Sequence, residues 1–232
     1  MPLLDFDYLI VSNECYDESS LRDTIEFFHG IGIRKFIFTV SFDRSKHTVG
    51  WILDRMGRLR ETLRHCHSRG ISVALYASIE QSEGIVYDVG LLRLSIKRSP
   101  YIFMKLPNFV DDPFVESDLN YFCFKRKCRP IFTAFEDNIR TNSPEMIQRL
   151  MSSRLYQFAL DLNYLTSLDA EPQMLLAIEN GVALLPSITH SLDNYPGVFK
   201  RMVEFRNSIG VSNYTKFCRT LQASGHRLFT KQ

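Results

Sequence analysis

The groups in this sequence that could do chemistry are imidazoles and carboxylates placed just after apolar runs. Of six histidines, only His47 and His190 fall in predicted loops that follow such runs. His190 ends the stretch Leu184-Leu185-Pro186-Ser187-Ile188-Thr189-His190, a strand running into a polar turn with Asp193 close behind. Catalytic groups of strand–helix barrels sit at such strand ends. Carboxylates recur there too. Asp5, Asp7, Glu14 and Asp17 flank the first apolar run, Asp43 follows the second and Glu80 the third. Glu136 and Asp137 follow a later run, Asp161 the next and Asp193 the last. A ring of oxygen ligands of this kind suits magnesium or manganese, although polar loop residues are abundant on any α/β protein.

Other chemistries are not expected. His65-Cys66-His67 lies on a predicted helix, where residues two apart point to different sides and cannot share a metal as an i, i+4 pair can. The eleven glycines are dispersed and form neither a dinucleotide fingerprint nor a P-loop, and there is no GxSxG elbow. The five cysteines (Cys15, Cys66, Cys123, Cys128, Cys218) are odd in number and lack CxxC pairing. They read as reduced intracellular thiols, and none is taken as the nucleophile of a Cys-x5-Arg phosphate loop.

The elements that must position these groups alternate. Strands are expected at Phe6–Val11, Arg34–Val40, Ile71–Ile79, Tyr101–Leu106, Pro130–Phe135, Tyr156–Leu160 and Val182–Ser187. Helices are expected at Glu18–Gly30, Trp51–Arg69, Pro113–Lys127, from the cap Asn142-Ser143-Pro144-Glu145, at Pro172–Asn180, Pro196–Ile209 and Ser212–Leu228. About seven strands separated by helices require parallel pairing through right-handed crossovers, in an open α/β layer or a closed barrel.

At 232 residues and 45% hydrophobic content, the chain is expected to form one domain over residues 1–232. With 28 basic against 26 acidic residues it lacks the electrostatic footprint of a nucleic-acid binder. No segment approaches the roughly 20 apolar residues of a membrane span, so a cytoplasmic location is expected.

Taken together, the segments resemble the PHP superfamily, and within it the bacterial protein-tyrosine phosphatases of capsule and exopolysaccharide loci. The likeness rests on Leu4-Asp5-Phe6-Asp7-Tyr8-Leu9-Ile10 with its acidic loop, Gly30-Ile31-Gly32-Ile33-Arg34-Lys35, and Tyr101 to Pro107. It continues in Arg129 to Asp137 and in Ser187 to Pro196. The resemblance implies a distorted seven-stranded (β/α) barrel with manganese or other divalent ions at its C-terminal mouth. It places the family's ligand positions on Asp7 and Leu9, Ser41 or Phe42, Ile79 with Glu80 beside it, Ala134, Glu136, Ile188 and His190. The family's arginines fall on Asp137 and Tyr195.

Most of the metal shell is therefore replaced, and no cofactor is expected. Aliphatic side chains at Leu9, Ile79, Ala134 and Ile188 imply that the metal cavity has closed into the core. The implied protein is a pseudophosphatase of exopolysaccharide, capsule or biofilm physiology, with His190, Glu136 and Asp7 as remnants of catalysis. The alternative is an active metal-dependent phosphatase rebuilt from Asp5, Asp7, Asp43, Glu80, Glu136 and His190. Partners implied are a tyrosine-kinase tail or another protein of polysaccharide biosynthesis. Tyr16, Phe42, Trp51, Phe109 and Tyr195 are candidate contacts, and no residue fixes an oligomeric state.

Overall fold

The computed structural model describes residues 6–12, 18–82, 85, 100–108, 113–189, 195 and 197–229. Seven strands close into a parallel barrel in sequence order, β1 (Tyr8–Ser12), β2 (Lys35–Phe42), β3 (Ser72–Glu80), β4 (Tyr101–Lys105), β5 (Arg129–Phe132), β6 (Gln157–Asp161) and β7 (Ala183–Ile188). Between and after them run α1 (Glu18–Gly30), α2 (Val49–Leu63), α3 (Pro113–Asn120), α4 (Phe135–Thr141), α5 (Pro144–Ser152), the single turn α6 (Leu162–Leu165), α7 (Glu171–Asn180), α8 (Val198–Ile209) and α9 (Val211–Phe229). The open-layer alternative is thereby settled in favour of the barrel. No helix among the described residues is long and apolar enough to cross a membrane.

Local chemistry explains several boundaries. Ser143 caps α5. Its Oγ accepts the Met146 N–H at 3.3 Å, and Pro144 fills the first turn, where a missing N–H costs nothing. Gly181 ends α7 at φ 64°, a conformation other residues resist. The expected strand through Phe135 stops at Phe132, because Ala134 turns left-handed at φ 51° and starts α4. The expected helix Pro113–Lys127 is α3 followed by a π-helical turn, Tyr121–Lys125.

The two faces of the barrel wall can be told apart. Phe132 and Phe158 meet Phe135 of α4 with ring centroids 6.2 and 4.4 Å apart, so their face is turned outward to the helices. Pairing register carries this outer face from Phe132 to Met104, Ile79 and Phe42, and from Phe38 to Val11 and Ile188. From Leu184 it returns to Phe158, which closes the circuit consistently. The alternate residues point inward. Ser78 Oγ and Thr133 Oγ1 meet at 2.8 Å although β4 separates their strands, as only side chains converging inside a barrel can.

Leu9, Ile79 and Ile188 thus belong to the outer, helix-packed core, each fully buried. This corrects the expectation that they fill a closed metal cavity. The inside is packed by Ile10, Ile37, Tyr76, Phe103, Ile131 and Leu185 in its lower layers, and turns polar toward the C-terminal mouth.

Candidate functional site

At the mouth the inward positions are mostly hydroxyls. Ser12, Thr39, Ser41, Ser78, Thr133 and Ser187 take the places nearest the strand ends, and all but Ser41 are buried. Thr39 Oγ1 and Ser187 Oγ have no hydrogen-bond partner among the described residues. Ser41 Oγ donates to Glu80 Oε1 at 2.9 Å, tying the β2 and β3 ends together.

Two buried carboxyls, Asp161 and Glu136, meet on the opposite side, where β5, β6 and β7 end. Asp161, the last residue of β6, is 3% exposed. Its Oδ2 accepts the Thr189 N–H at 3.0 Å, the Thr189 hydroxyl at 2.9 Å and the Tyr195 hydroxyl at 2.6 Å. Its Oδ1 accepts the Asn163 N–H at 2.8 Å and so caps α6. Glu136, in the first turn of α4, takes the Asp161 N–H on Oε2 at 3.1 Å. Burial, together with the charges of Asp161 and Asp137, pushes the Glu136 carboxyl up to about 7 against the pull of backbone N–H donors. A carboxyl with this environment holds its proton near neutrality and can accept or release one.

The remaining candidates are dispersed. Asp7 lies before β1, at the N-terminal end of the barrel. There it pairs with Lys35 at 2.8 Å and exchanges hydrogen bonds with Gln222 of α9. Against the upward push of burial, Lys35 and Gln222 hold its carboxyl below the ordinary value. Asp7 and Glu136 therefore stand at opposite ends of the barrel. Asp43 is folded into its own loop by Ser45 and by Lys46 at 2.7 Å, which lower its carboxyl to about 2. Asp5 and His190 lie outside the described residues.

Among the expected contacts, Phe42 and Tyr195 are buried at 1% and 2% exposure, not presented at the rim. Trp51 is half-exposed and stacks on His47 at 3.6 Å, while Tyr16 and Phe109 lie outside the described residues. Cys123 and Arg129 do have Cys-x5-Arg spacing. Cys123, however, sits in the π-helical turn, where burial first, and then Cys128, push its thiol up to about 11, the reverse of an activated nucleophile.

The role of Tyr195 carries no local signal in the sequence. It meets Asp161 across 34 positions, through a fold that local periodicity does not encode.

Manganese centres in clusters need several imidazoles and free carboxylates. Among the described residues no group of three or more His, Cys, Asp or Glu side chains could hold a metal ion. Both Asp161 oxygens are already committed to protein donors, and the neighbouring inward positions are neutral hydroxyls, so this donor set does not fit a metal cluster.

No family model matches the sequence, and no curated protein does. Solved structures do. The metal-dependent tyrosine phosphatases YwqE from Bacillus subtilis and CpsB from Streptococcus pneumoniae are represented by a chain that aligns at TM-score 0.66 and 16% identity, over 90% of this chain and 88% of that one. A DAHP synthase from Thermotoga maritima aligns at TM-score 0.49 and 12% identity, over 88% and 70% of the two chains. A zinc-bound amidohydrolase from Burkholderia ambifaria aligns at TM-score 0.46 and 14% identity, over 88% and 67%. The two lower scores carry no further weight here. The chain has the closed seven-stranded PHP-type barrel fold that it shares with the YwqE and CpsB tyrosine phosphatases.

Proposed function

We propose that this protein is a degenerate PHP-fold protein, a pseudophosphatase that keeps the barrel for binding or regulation in exopolysaccharide or capsule physiology. The observation that supports it is Asp161. A carboxylate at the barrel mouth with four donors on its two oxygens is serving as a structural anchor, and releasing it to a cation would leave the Asn163 N–H and the Thr189 and Tyr195 hydroxyls without this acceptor, the Thr189 N–H alone keeping a second one in Tyr195. The hydroxyls around it add no charge that would repay an ion's dehydration. In this reading His190 is a remnant, no divalent metal is required, and the protein works in the cytoplasm. Its partner is the phosphotyrosine-bearing tail of a capsule kinase or another protein of polysaccharide synthesis.

A second reading is an active phosphatase with a rearranged site, and one observation favours it. Glu136 titrates near neutrality at the mouth, as a general acid for a leaving group would.

Hydrolysis of an aryl phosphate with added manganese, run beside binding of a phosphotyrosine peptide and its unphosphorylated twin, tests the proposal. The expected result is no turnover above buffer, with preferential binding of the phosphorylated peptide. Turnover that scales with protein and disappears in a His190→Ala variant establishes the second reading instead.

A further inference from the structure

At the N-terminal end of the barrel, opposite the mouth, the π-helical turn and the residues leading into β5 read Tyr121-Phe122-Cys123-Phe124-Lys125-Arg126-Lys127-Cys128-Arg129. Phe122 and Cys128 are buried and fasten this segment to the core. Phe124 stands out from it at 66% exposure, more than any other large apolar side chain among the described residues. Lys125, Lys127 and Arg129 beside it are exposed, and Arg126 is half-buried with its guanidinium 5.4 Å above the Tyr121 ring. Arg154, exposed just ahead of β6, the strand paired with β5, adds a fifth cation at the same end. None of the five is ion-paired with a described residue. The sequence has no acid between Asp118 and Glu136, and the whole chain carries only +2, so the excess of charge is local.

The segment is held in one shape. The N–H groups of Arg126, Cys128 and Arg129 donate to the carbonyls of Tyr121, Phe122 and Pro100 at 3.1, 2.9 and 2.7 Å. Lys127 sits at φ 54°, a left-handed conformation that Gly or Asn adopts more readily than lysine.

We propose that this turn is a docking surface for an anionic lipid bilayer, with Phe124 entering the headgroup layer and the five cations lying over lipid phosphates. A basic run alone would be ordinary solvated surface. The projecting phenyl ring is the second observation, because a bilayer offers anionic headgroups with an apolar layer immediately beneath them. A nucleic acid favours cations drawn out along a groove, whereas most of these are gathered on one turn beside a protruding ring. Such attachment is peripheral and needs no spanning helix, of which the described residues hold none. The surface does not rest on the pseudophosphatase reading, since it lies at the other end of the barrel from Asp161.

Sedimentation with vesicles of phosphatidylglycerol and phosphatidylcholine in equal parts, beside vesicles of phosphatidylcholine alone, tests the inference on the whole chain. The protein is expected to sediment with the anionic vesicles, to stay in solution with the neutral ones, and to be released as salt is raised. Lys125→Gln combined with Lys127→Asn removes two cations, asparagine being suited to φ 54°. This variant should bind roughly 25-fold more weakly, about fivefold per charge. Phe124→Ala should weaken binding about tenfold and leave its salt dependence unchanged. The inference is overturned by equal sedimentation with both kinds of vesicle, by sedimentation with neither, or by variants that bind as tightly as the parent. Release by inorganic phosphate matched to the lipid phosphate overturns it in favour of a single-anion site. Tighter binding of a single-stranded oligonucleotide than of the anionic vesicles overturns it in favour of a nucleic acid. If a variant does not fold, binding by the parent protein that is insensitive to salt overturns it as well.

Discussion

Replacing Asp161 by alanine removes an acceptor from four donors at once, the N–H groups of Asn163 and Thr189 and the hydroxyls of Thr189 and Tyr195, of which the Thr189 N–H alone keeps a second acceptor, the Tyr195 hydroxyl. A hydrogen bond to a charged acceptor is worth about 1.5–3 kcal/mol, and a helix cap about 1 kcal/mol. Three donors share one oxygen, so their contributions do not add, and Glu136 is relieved of a neighbouring charge when Asp161 goes. The net expectation is a destabilisation of about 4 kcal/mol. For a chain of this size that corresponds to a melting temperature lower by about 8–16 °C. Tyr195→Phe removes one of these bonds and should cost about 1–2 kcal/mol. In the double variant most of that cost should vanish, because the partner is already gone. Urea unfolding of the two single variants and the double variant provides the cycle. A loss below about 1 kcal/mol in Asp161→Ala, or additive effects in the double variant, would show that Asp161 is not the anchor of the β7 exit and is free for a ligand.

Further outcomes follow from the same geometry. Glu136 has its folded pKa raised from 4.5 to about 7, so the folded state holds the proton more tightly, and stability present below pH 4.5 is lost as pH rises toward 7. Glu136→Gln should flatten that slope and stabilise the protein at pH 8 by about 3 kcal/mol, which melting curves across pH would read; an unchanged slope assigns it to another group. Thr39→Val should be neutral or stabilising by up to about 1 kcal/mol, since the hydroxyl it removes is buried without a partner. A clear loss in thermal unfolding would reveal a bound partner. Ile188→Asp places a carboxylate among outer-face apolar side chains and should cost several kcal/mol, about 3 or more. An unaltered melting temperature would mean that position 188 faces water.

The number, order and parallel pairing of the strands were legible from the alternation of β-branched and aromatic runs with helical segments. Which face of each strand looks inward was not. In β1 every one of the residues YLIVS is buried, and β7 is buried throughout, so neither carries the period-two pattern that identifies a face. The first strand begins at Tyr8, not Phe6, and the last two begin one residue later than expected, at Gln157 and Ala183. Asp161 closes β6 and Ile188 closes β7, and the pairing register puts Ser187 inside and Ile188 outside. Of the metal positions carried over from the family resemblance, Leu9, Ile79 and Ile188 fall on the outer face, whereas Ser41 and Glu80 face inward. Asp7 reads as a strand-end acid in sequence, yet closure of the barrel sends it to the end where Gln222 waits. Glu136 and Asp161 were visible as loop acids, but their contact required β5 and β6 to end side by side.

Titration of the metal-stripped protein with manganese, followed by calorimetry and by melting temperature, tests most directly whether this mouth is a hydroxyl-lined remnant. The account predicts no saturable uptake and no rise in melting temperature. Stoichiometric uptake that raises the melting temperature, and is lost in both His190→Ala and Glu136→Gln, would contradict it.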